Sequence, residues 1–153
     1  MFGMKPYDTE FPKKNDKVIY FYIKDGKVLF YGISTIKKVS PTGSFIYMET
    51  EGGLVVKQSR ADFREGYIKY FEYNEVNLKK LEHFRTYKEE EKKLADLVVK
   101  FLHGREAHNM CAADLYIIEQ LIVLFEHLFD DKRTEEENYM WLNWYKVERH
   151  DSR

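Results

Sequence analysis

The Asp25-Gly26 pair most constrains the fold of this chain, because it joins two runs that have β-strand character. Residues 18–23 before it and residues 28–39 after it are rich in β-branched and aromatic side chains, which favour strands. Asp-Gly is among the pairs most favoured in two-residue hairpin turns, since both positions tolerate positive φ. The sequence therefore predicts an antiparallel hairpin centred on this pair.

A two-residue turn also sets the register of the hairpin. On that register, both faces of the hairpin carry apolar or aromatic side chains, whereas a free antiparallel sheet normally has one polar face. We therefore expect the second face to be covered, either by the chain's own helices or by a partner. The expected pairs are Ile23–Val28, Phe21–Phe30 and Ile19–Gly32 on one face, and Tyr22–Leu29, Tyr20–Tyr31 and Val18–Ile33 on the other.

Three further strands are predicted at residues 45–50, 54–57 and 67–73, with turns at residues 40–43 and 51–53 between them. Residues 60–66 read as a loop or a short helical turn. Five short strands at this spacing are typical of a small barrel. The predicted fold class is therefore α+β, with a five-stranded antiparallel barrel followed by about three α-helices.

Residues 16–73 resemble the SH3-like barrel of small bacterial and phage proteins. The resemblance rests on Asp16-Lys17-Val18 at the first strand, on residues 35–43 leading into Phe45-Ile46-Tyr47, and on the loop before Tyr67. Such barrels generally bind peptides, proteins or nucleic acids. The resemblance implies a binding function and does not indicate a ligand.

Helical spacing begins after the predicted barrel. One helix is expected over residues 78–102, with Gly104 as its stop and a solvated charged run at residues 88–93. A second, over residues 112–129, has a broad apolar stripe that fits either a bundle centre or a homodimer seam. A third begins at Thr134, where Thr134 and Glu137 match a capping box. The predicted organisation is a loosely ordered leader (1–15), the barrel (16–73) and a helical region (74–153).

Composition narrows the class of protein. The chain has 153 residues, a net charge of −1 and one cysteine. This balance argues against a nucleic-acid coat protein, and a lone cysteine excludes an internal disulfide framework. No run of 18 apolar residues is present, so we expect no membrane span. These features predict a cytoplasmic protein, in a bacterium or in a phage-infected host cell.

The aromatic content of 16% favours a binding function, because aromatic side chains anchor many interfaces. In this interpretation the protein is a non-enzymatic module that binds another protein or a nucleoprotein complex. It resembles phage or mobile-element accessory proteins that inhibit a host complex by occupying its surface. Packing of the same aromatic residues within the protein is the simpler alternative. The predicted partner-binding residues are Tyr20, Tyr22, Tyr31, Tyr47, Trp141 and Trp144.

Nucleic-acid binding is the first alternative. Residues 11–40 contain seven lysines and two aspartates, interleaved with tyrosines on which bases could stack. Lysines that guard a solvated strand edge explain the same pattern. The candidate residues are Lys13, Lys14, Lys17, Lys24, Lys27, Lys37 and Lys38.

A metal-dependent or thiol enzyme is the second alternative. His103, His108 and Cys111 lie close together in sequence, where imidazole and thiolate groups could bind zinc or act as base and nucleophile. However, the paired cysteines of structural zinc sites are absent, as are the common catalytic and phosphate-binding motifs. The sequence therefore predicts no cofactor, no metal and no catalytic residue.

Overall fold

A computed structural model describes residues 2–104, 116, 120, 134–137, 139 and 140, except for the side chains of residues 94 and 97–104. The chain divides into two compact units, Met1–Glu82 and His83–Arg153. The predicted α+β class is confirmed, because a five-stranded antiparallel sheet is combined with helices. None of the described helices is both long enough and apolar enough to cross a membrane.

All five predicted strands are confirmed, and the segment predicted as a loop or helical turn is a short helix. The strands pair antiparallel in the order β4-β3-β2-β1-β5. The described elements are β1 (Lys17–Lys24), β2 (Lys27–Val39), β3 (Phe45–Thr50), β4 (Val55–Ser59), α1 (Arg60–Glu65), β5 (Ile68–Glu72) and α2 (Glu75–Gly104).

The predicted hairpin forms, but its register was predicted wrongly beyond the turn. Asp25 and Gly26 have φ of 52° and 74°, as a two-residue turn of this type requires, and Ile23 pairs with Val28. The register then shifts, so that the next pair is Tyr22 with Phe30 and Leu29 is the extra residue of a β-bulge. Because side chains alternate along a strand, one extra residue reverses the face of every later residue of β2.

The inner face of the curved sheet holds the core of the first unit. Val18, Ile36, Ile46 and Met48 are buried there, together with Phe63 of α1 and Tyr70 of β5. The Tyr70 hydroxyl donates to Gln58 Oε1 of β4 at 2.6 Å, and the ring centroids of Phe63 and Tyr70 lie 4.5 Å apart. Side chains therefore bridge the two edge strands, although β4 and β5 do not pair and a closed barrel is not confirmed.

On the outer face, the centre of β1 is covered by the chain itself. Ile19 and Phe21 are fully buried, and the Phe21 ring packs against Phe2 and Phe71 at centroid distances of 5.3 and 5.7 Å. The leader also runs beside β5, because Tyr7 N–H donates to Tyr70 O at 3.0 Å. The second apolar face of β1 is thus covered at this point by the leader and by β5.

Helix α2 begins three residues before the predicted start and includes the predicted stop, Gly104. The Asn74 side chain caps it by accepting from Asn77 N–H at 2.8 Å. The predicted capping box is also confirmed, because Thr134 and Glu137 exchange hydrogen bonds of 3.3 and 3.2 Å. Of the helix predicted over residues 112–129, only residues 116 and 120, both helical, are described.

The charged run 88–93 is not wholly solvated, contrary to the prediction. Lys88 Nζ lies 2.8 Å from Glu135 Oε1 and 3.1 Å from Glu91 Oε1, and Tyr87 donates to Glu135 Oε2 at 3.1 Å. Burial raises the pKa of Tyr87 far above its usual value, and the nearby carboxylates add to this effect. Burial alone would lower the pKa of Lys88, but its two carboxylate partners outweigh burial and raise it. These side chains form a partly buried ionic cluster within the second unit.

Candidate partner-binding surface

An apolar pocket of about 290 Å³ opens on the inner face of the sheet. The polar groups in its lining are tyrosine phenols, two aliphatic hydroxyls and one amide. The lining contains no carboxylate, imidazole, amine or thiol. A surface of this composition binds apolar groups and offers no acid or base that titrates near neutral pH. The lining residues are Tyr20, Tyr22, Phe30, Ser34, Met48, Thr50, Leu54, Val56, Gln58, Ile68 and Tyr70.

The position of Tyr20 in this pocket depends on Gly32. The two residues pair across β1 and β2, and a Cβ at Gly32 would lie 3.2–3.4 Å from the Tyr20 ring and hydroxyl. The missing side chain therefore lets the Tyr20 ring lie against the neighbouring strand. Burial, and then the charge of Glu51, raise the pKa of Tyr20 above its usual value.

Large apolar side chains surround the opening of the pocket. Phe30, Leu54 and Tyr67 are 66%, 65% and 63% exposed. The Tyr22 ring lies between two of them, with its centroid 6.0 Å from those of both Phe30 and Tyr67. We call Tyr22, Phe30, Leu54 and Tyr67 the mouth residues. They form an apolar rim that is continuous with the pocket.

The β-bulge divides the tyrosines that the sequence placed together. Tyr20 and Tyr22 face the inner pocket, whereas Tyr31 pairs with Phe21 and stacks on its ring at a centroid distance of 5.9 Å on the outer face. Tyr47 also belongs to the outer face, because it alternates with Met48, which lines the pocket. The expectation that Tyr20, Tyr22 and Tyr31 share one face was therefore wrong.

A basic and aromatic patch lies on the outer face of β3 and β4. Lys57 Nζ lies 4.0 Å from the Phe45 ring centroid and 5.9 Å from that of Tyr47. Lys38 Nζ lies 5.9 Å from the Tyr47 centroid on the other side. We call Lys38, Phe45, Tyr47 and Lys57 the outer patch. Lys57 and Phe45 were not among the predicted site residues, although the alternation of β3 against β4 indicates that they share a face.

The lysines proposed for nucleic-acid binding do not form one patch. Lys37 forms an ion pair with Glu49, with Nζ 2.7 Å from Oε2, and Lys17 Nζ lies 5.4 Å from the Tyr73 ring centroid. Lys24 and Lys27 lie opposite each other on the two strands of the hairpin, at the far end of β1. At the usual rise per residue, Lys24 is roughly 23 Å from Lys17. Only Lys38 of this set belongs to the outer patch.

Lys13 and Lys17 instead line a wide groove of about 800 Å³. The groove also contains Asp8, Asp16 and Glu72, so its charge is mixed. Lys5 lowers the pKa of Glu72 through a hydrogen bond. A groove lined by three carboxylates is a poor match for a phosphate backbone.

Several predicted site residues lie outside the described residues. They are Trp141, Trp144, His108, Cys111 and the side chain of His103. Within the described part of the chain, no group of three or more His, Cys, Asp or Glu side chains is arranged to hold a metal ion.

Comparison with known proteins adds no relative to these observations. The chain matches no family model, no curated protein and no solved structure. The features of the molecule that bear on its function are therefore the pocket, the mouth residues and the outer patch.

Proposed function

We propose that this chain is a non-enzymatic module that binds another protein through the inner pocket and its mouth residues. The observation that carries the proposal is the exposure of Phe30, Leu54 and Tyr67 around an apolar pocket. Removing each of these side chains from water is worth at most about 1.5–3 kcal/mol, from which the entropic cost of association is subtracted. Three such anchors in one place are typical of an interaction hot spot.

The size and lining of the pocket favour a protein partner over a small-molecule substrate. Its volume of about 290 Å³ is at the lower end of the range of ~300–1,000 Å³ for ligand pockets. Its lining has no carboxylate, imidazole, amine or thiol that could act in catalysis. An apolar side chain of a partner fits both properties.

In this proposal the protein acts by occupying a surface of its partner. The strongly curved sheet, with Gln58 and Tyr70 bridging its edge strands, supports an SH3-like barrel as the binding scaffold. The module would cover a surface of a protein or nucleoprotein complex in the cytoplasm, and would block the partner's substrate or its motion. This is the mode expected of an inhibitor of the phage or mobile-element accessory type.

Selection from a displayed library of random linear peptides tests the proposal. The bait is the full chain, and counter-selection uses Phe30→Asp, which places a charge at the mouth. Leu29→Asp is the matched control, because Leu29 is a neighbouring exposed apolar residue that does not line the pocket. We expect peptides that bind the wild type and Leu29→Asp but not Phe30→Asp. Peptides insensitive to Phe30→Asp, or no enrichment, would contradict protein binding at this site.

Nucleic-acid binding remains the second candidate, because the outer patch places two lysines beside aromatic rings. Such a surface can contact phosphates and stack on bases. The test is the salt dependence of binding to single-stranded DNA and RNA, with Lys38→Glu/Lys57→Glu compared with the exposed control Lys69→Glu. This candidate requires affinity that falls steeply with salt and is lost only in the double variant. Binding that is absent, or equal in all three proteins, would exclude it.

A further inference from the structure

The outer edge of β4 carries backbone groups that the sheet does not use. Thr50 N–H donates to Leu54 O, and Arg60 N–H donates to Ser44 O, both at 2.9 Å. Hydrogen-bonded pairs alternate with non-bonded pairs in an antiparallel ladder, so the bonded pairs between these ends are Met48–Val56 and Ile46–Gln58. The N–H and C=O groups of Val55 and Lys57 therefore point away from β3.

This edge is accessible. β4 is the terminal strand of the sheet, and the Val55 side chain is 59% exposed. In the described part of the chain, no backbone group outside the β3–β4 ladder bonds to Val55 or Lys57. At the opposite edge, by contrast, Pro6 forms a bridge with Phe71 of β5. The leader thus covers one edge of the sheet, and β4 is left as the unpaired one.

The two faces beside this edge differ in chemistry. On the inner face, Val56 and Gln58 line the apolar pocket. On the outer face, Lys57 and Lys38 contact aromatic rings, and no described carboxylate forms an ion pair with either lysine. A strand lying beside β4 would therefore meet an apolar surface at one set of alternate residues and positive charge at the other.

We infer, on the basis of the proposed function, that the partner contributes an extended segment that pairs with β4 as an added strand. In this segment apolar residues alternate with acidic ones. Its backbone would pair with Val55 and Lys57, as in other complexes formed by strand addition. Its apolar side chains would enter the pocket, and its carboxylates would meet Lys57, while Lys38 of β2 adds positive charge farther in on the same face. Unpaired backbone groups and complementary charge together select this occupant.

A second copy of the chain is a poorer occupant of the same edge. The centre of β4, Val55–Ser59, is Lys57. Symmetric antiparallel pairing of two β4 strands about their centres would place the two Lys57 side chains directly opposite each other. Like charges in that position destabilise a strand pair, whereas an acidic partner removes the repulsion.

The probe for this inference is a short synthetic peptide in which valine alternates with aspartate, titrated into the full chain. We expect it to protect the amide protons of Val55 and Lys57 from exchange. A matched valine–lysine peptide should bind at least about tenfold more weakly, because its charges oppose those of the outer patch. Lys57→Glu should weaken binding of the valine–aspartate peptide about three- to tenfold, whereas Lys69→Glu should leave it unchanged.

Two N-methylated versions of the probe test backbone pairing without altering the protein. Methyl groups on alternate amides block one edge of an extended peptide, so the two versions block opposite edges. The version blocked on the edge that faces β4 should bind about tenfold more weakly than the other. Equal affinities of the two versions, or no protection of Val55 and Lys57, would overturn strand addition.

Strand addition and pocket binding can fail separately. If Phe30→Asp abolishes selection of displayed peptides but the N-methylated probes bind equally, the proposed function survives and the strand-addition inference is wrong. If Phe30→Asp does not affect the selection of displayed peptides and the N-methylated probes bind equally, the proposed function and the strand-addition inference are both wrong. Sedimentation velocity of the free protein detects self-association, and a dimer lost in Val55→Pro would show that a second copy covers the edge, which overturns the acidic segment as its occupant.

Discussion

Lys88 is the residue at which a single substitution tests the partly buried ionic cluster most directly. Its ammonium group lies 2.8 Å from Glu135 Oε1 and 3.1 Å from Glu91 Oε1. The side chain of Glu135 is 8% exposed and that of Lys88 is 23% exposed. Lys88→Met retains most of the side-chain volume but leaves two carboxylates without their shared cation.

The size of the effect follows from the distance and the burial. Two unit charges 2.8 Å apart attract by about 6 kcal/mol at an effective dielectric constant of about 20. The cost of taking Lys88 out of water offsets part of this attraction, and breaking a buried pair typically costs about 3–5 kcal/mol. Because Lys88 is partly exposed, we expect Lys88→Met to lower the free energy of unfolding by about 3 kcal/mol.

Urea unfolding followed by tryptophan fluorescence measures this loss. Both tryptophans, Trp141 and Trp144, belong to the unit His83–Arg153, so their signal reports on the unit that contains Lys88. Lys92→Met is the matched control, because Lys92 is exposed and lies one helical turn away. The control should change stability by less than about 0.5 kcal/mol.

The double variant Lys88→Met/Glu135→Met separates charge from packing. Replacing both partners of a buried pair by apolar residues is often neutral, so the double variant should be more stable than Lys88→Met. The recovery is partial, because Glu91 still lacks its cation. Tyr87 also loses its hydrogen bond to Glu135 in that variant, which limits the recovery by about 1 kcal/mol. If Lys88→Met were no more destabilising than Lys92→Met, the cluster would contribute nothing to stability, contrary to this prediction.

Three further predictions concern stability. Burial and a hydrogen bond to Asp16 raise the pKa of Tyr7 from 10.0 to about 12, so its contribution is complete below pH 10 and is lost as the pH rises through 12. Tyr7→Phe should flatten that part of the stability–pH curve, and an unchanged slope in urea titrations would exclude this role. Phe63→Ala removes a fully buried ring and should cost about 3–5 kcal/mol by denaturation followed by circular dichroism; a loss below 1 kcal/mol would contradict its placement in the core. Thr134→Ala breaks the capping box and should cost about 1 kcal/mol by tryptophan fluorescence, whereas Thr134→Ser should retain the cap.

Local sequence predicted most of the secondary structure because the signals are local. The positive φ values of Asp25 and Gly26 follow from residue types that tolerate them. The capping box at Thr134 depends on two side chains three residues apart. In these places a few neighbouring residues contain the whole interaction, so the prediction needed no knowledge of the fold.

The division of the site residues between two faces was not predictable in the same way. Leu29 is of a residue type that also occurs in regular strands, yet it is the extra residue of the β-bulge. A bulge forms where the twist and curvature of several strands require it, and the residues at the bulge do not by themselves report that requirement. Consequently Tyr31 was wrongly grouped on one face with Tyr20 and Tyr22, which face the inner pocket. The mouth residues Phe30, Leu54 and Tyr67 were also missed.

Neighbouring residues alone account for the positions of strands, turns and caps, and for the apolar character of both sides of the first hairpin. Folding in three dimensions settles which aromatic side chains surround the pocket, which edge of the sheet is left unpaired, and that Lys88 is partly buried beside Glu135. The difference lies in how far apart along the chain the interacting residues are. Turns and caps arise among adjacent residues, whereas pockets, free edges and buried ion pairs arise between segments that become neighbours only when the chain is folded.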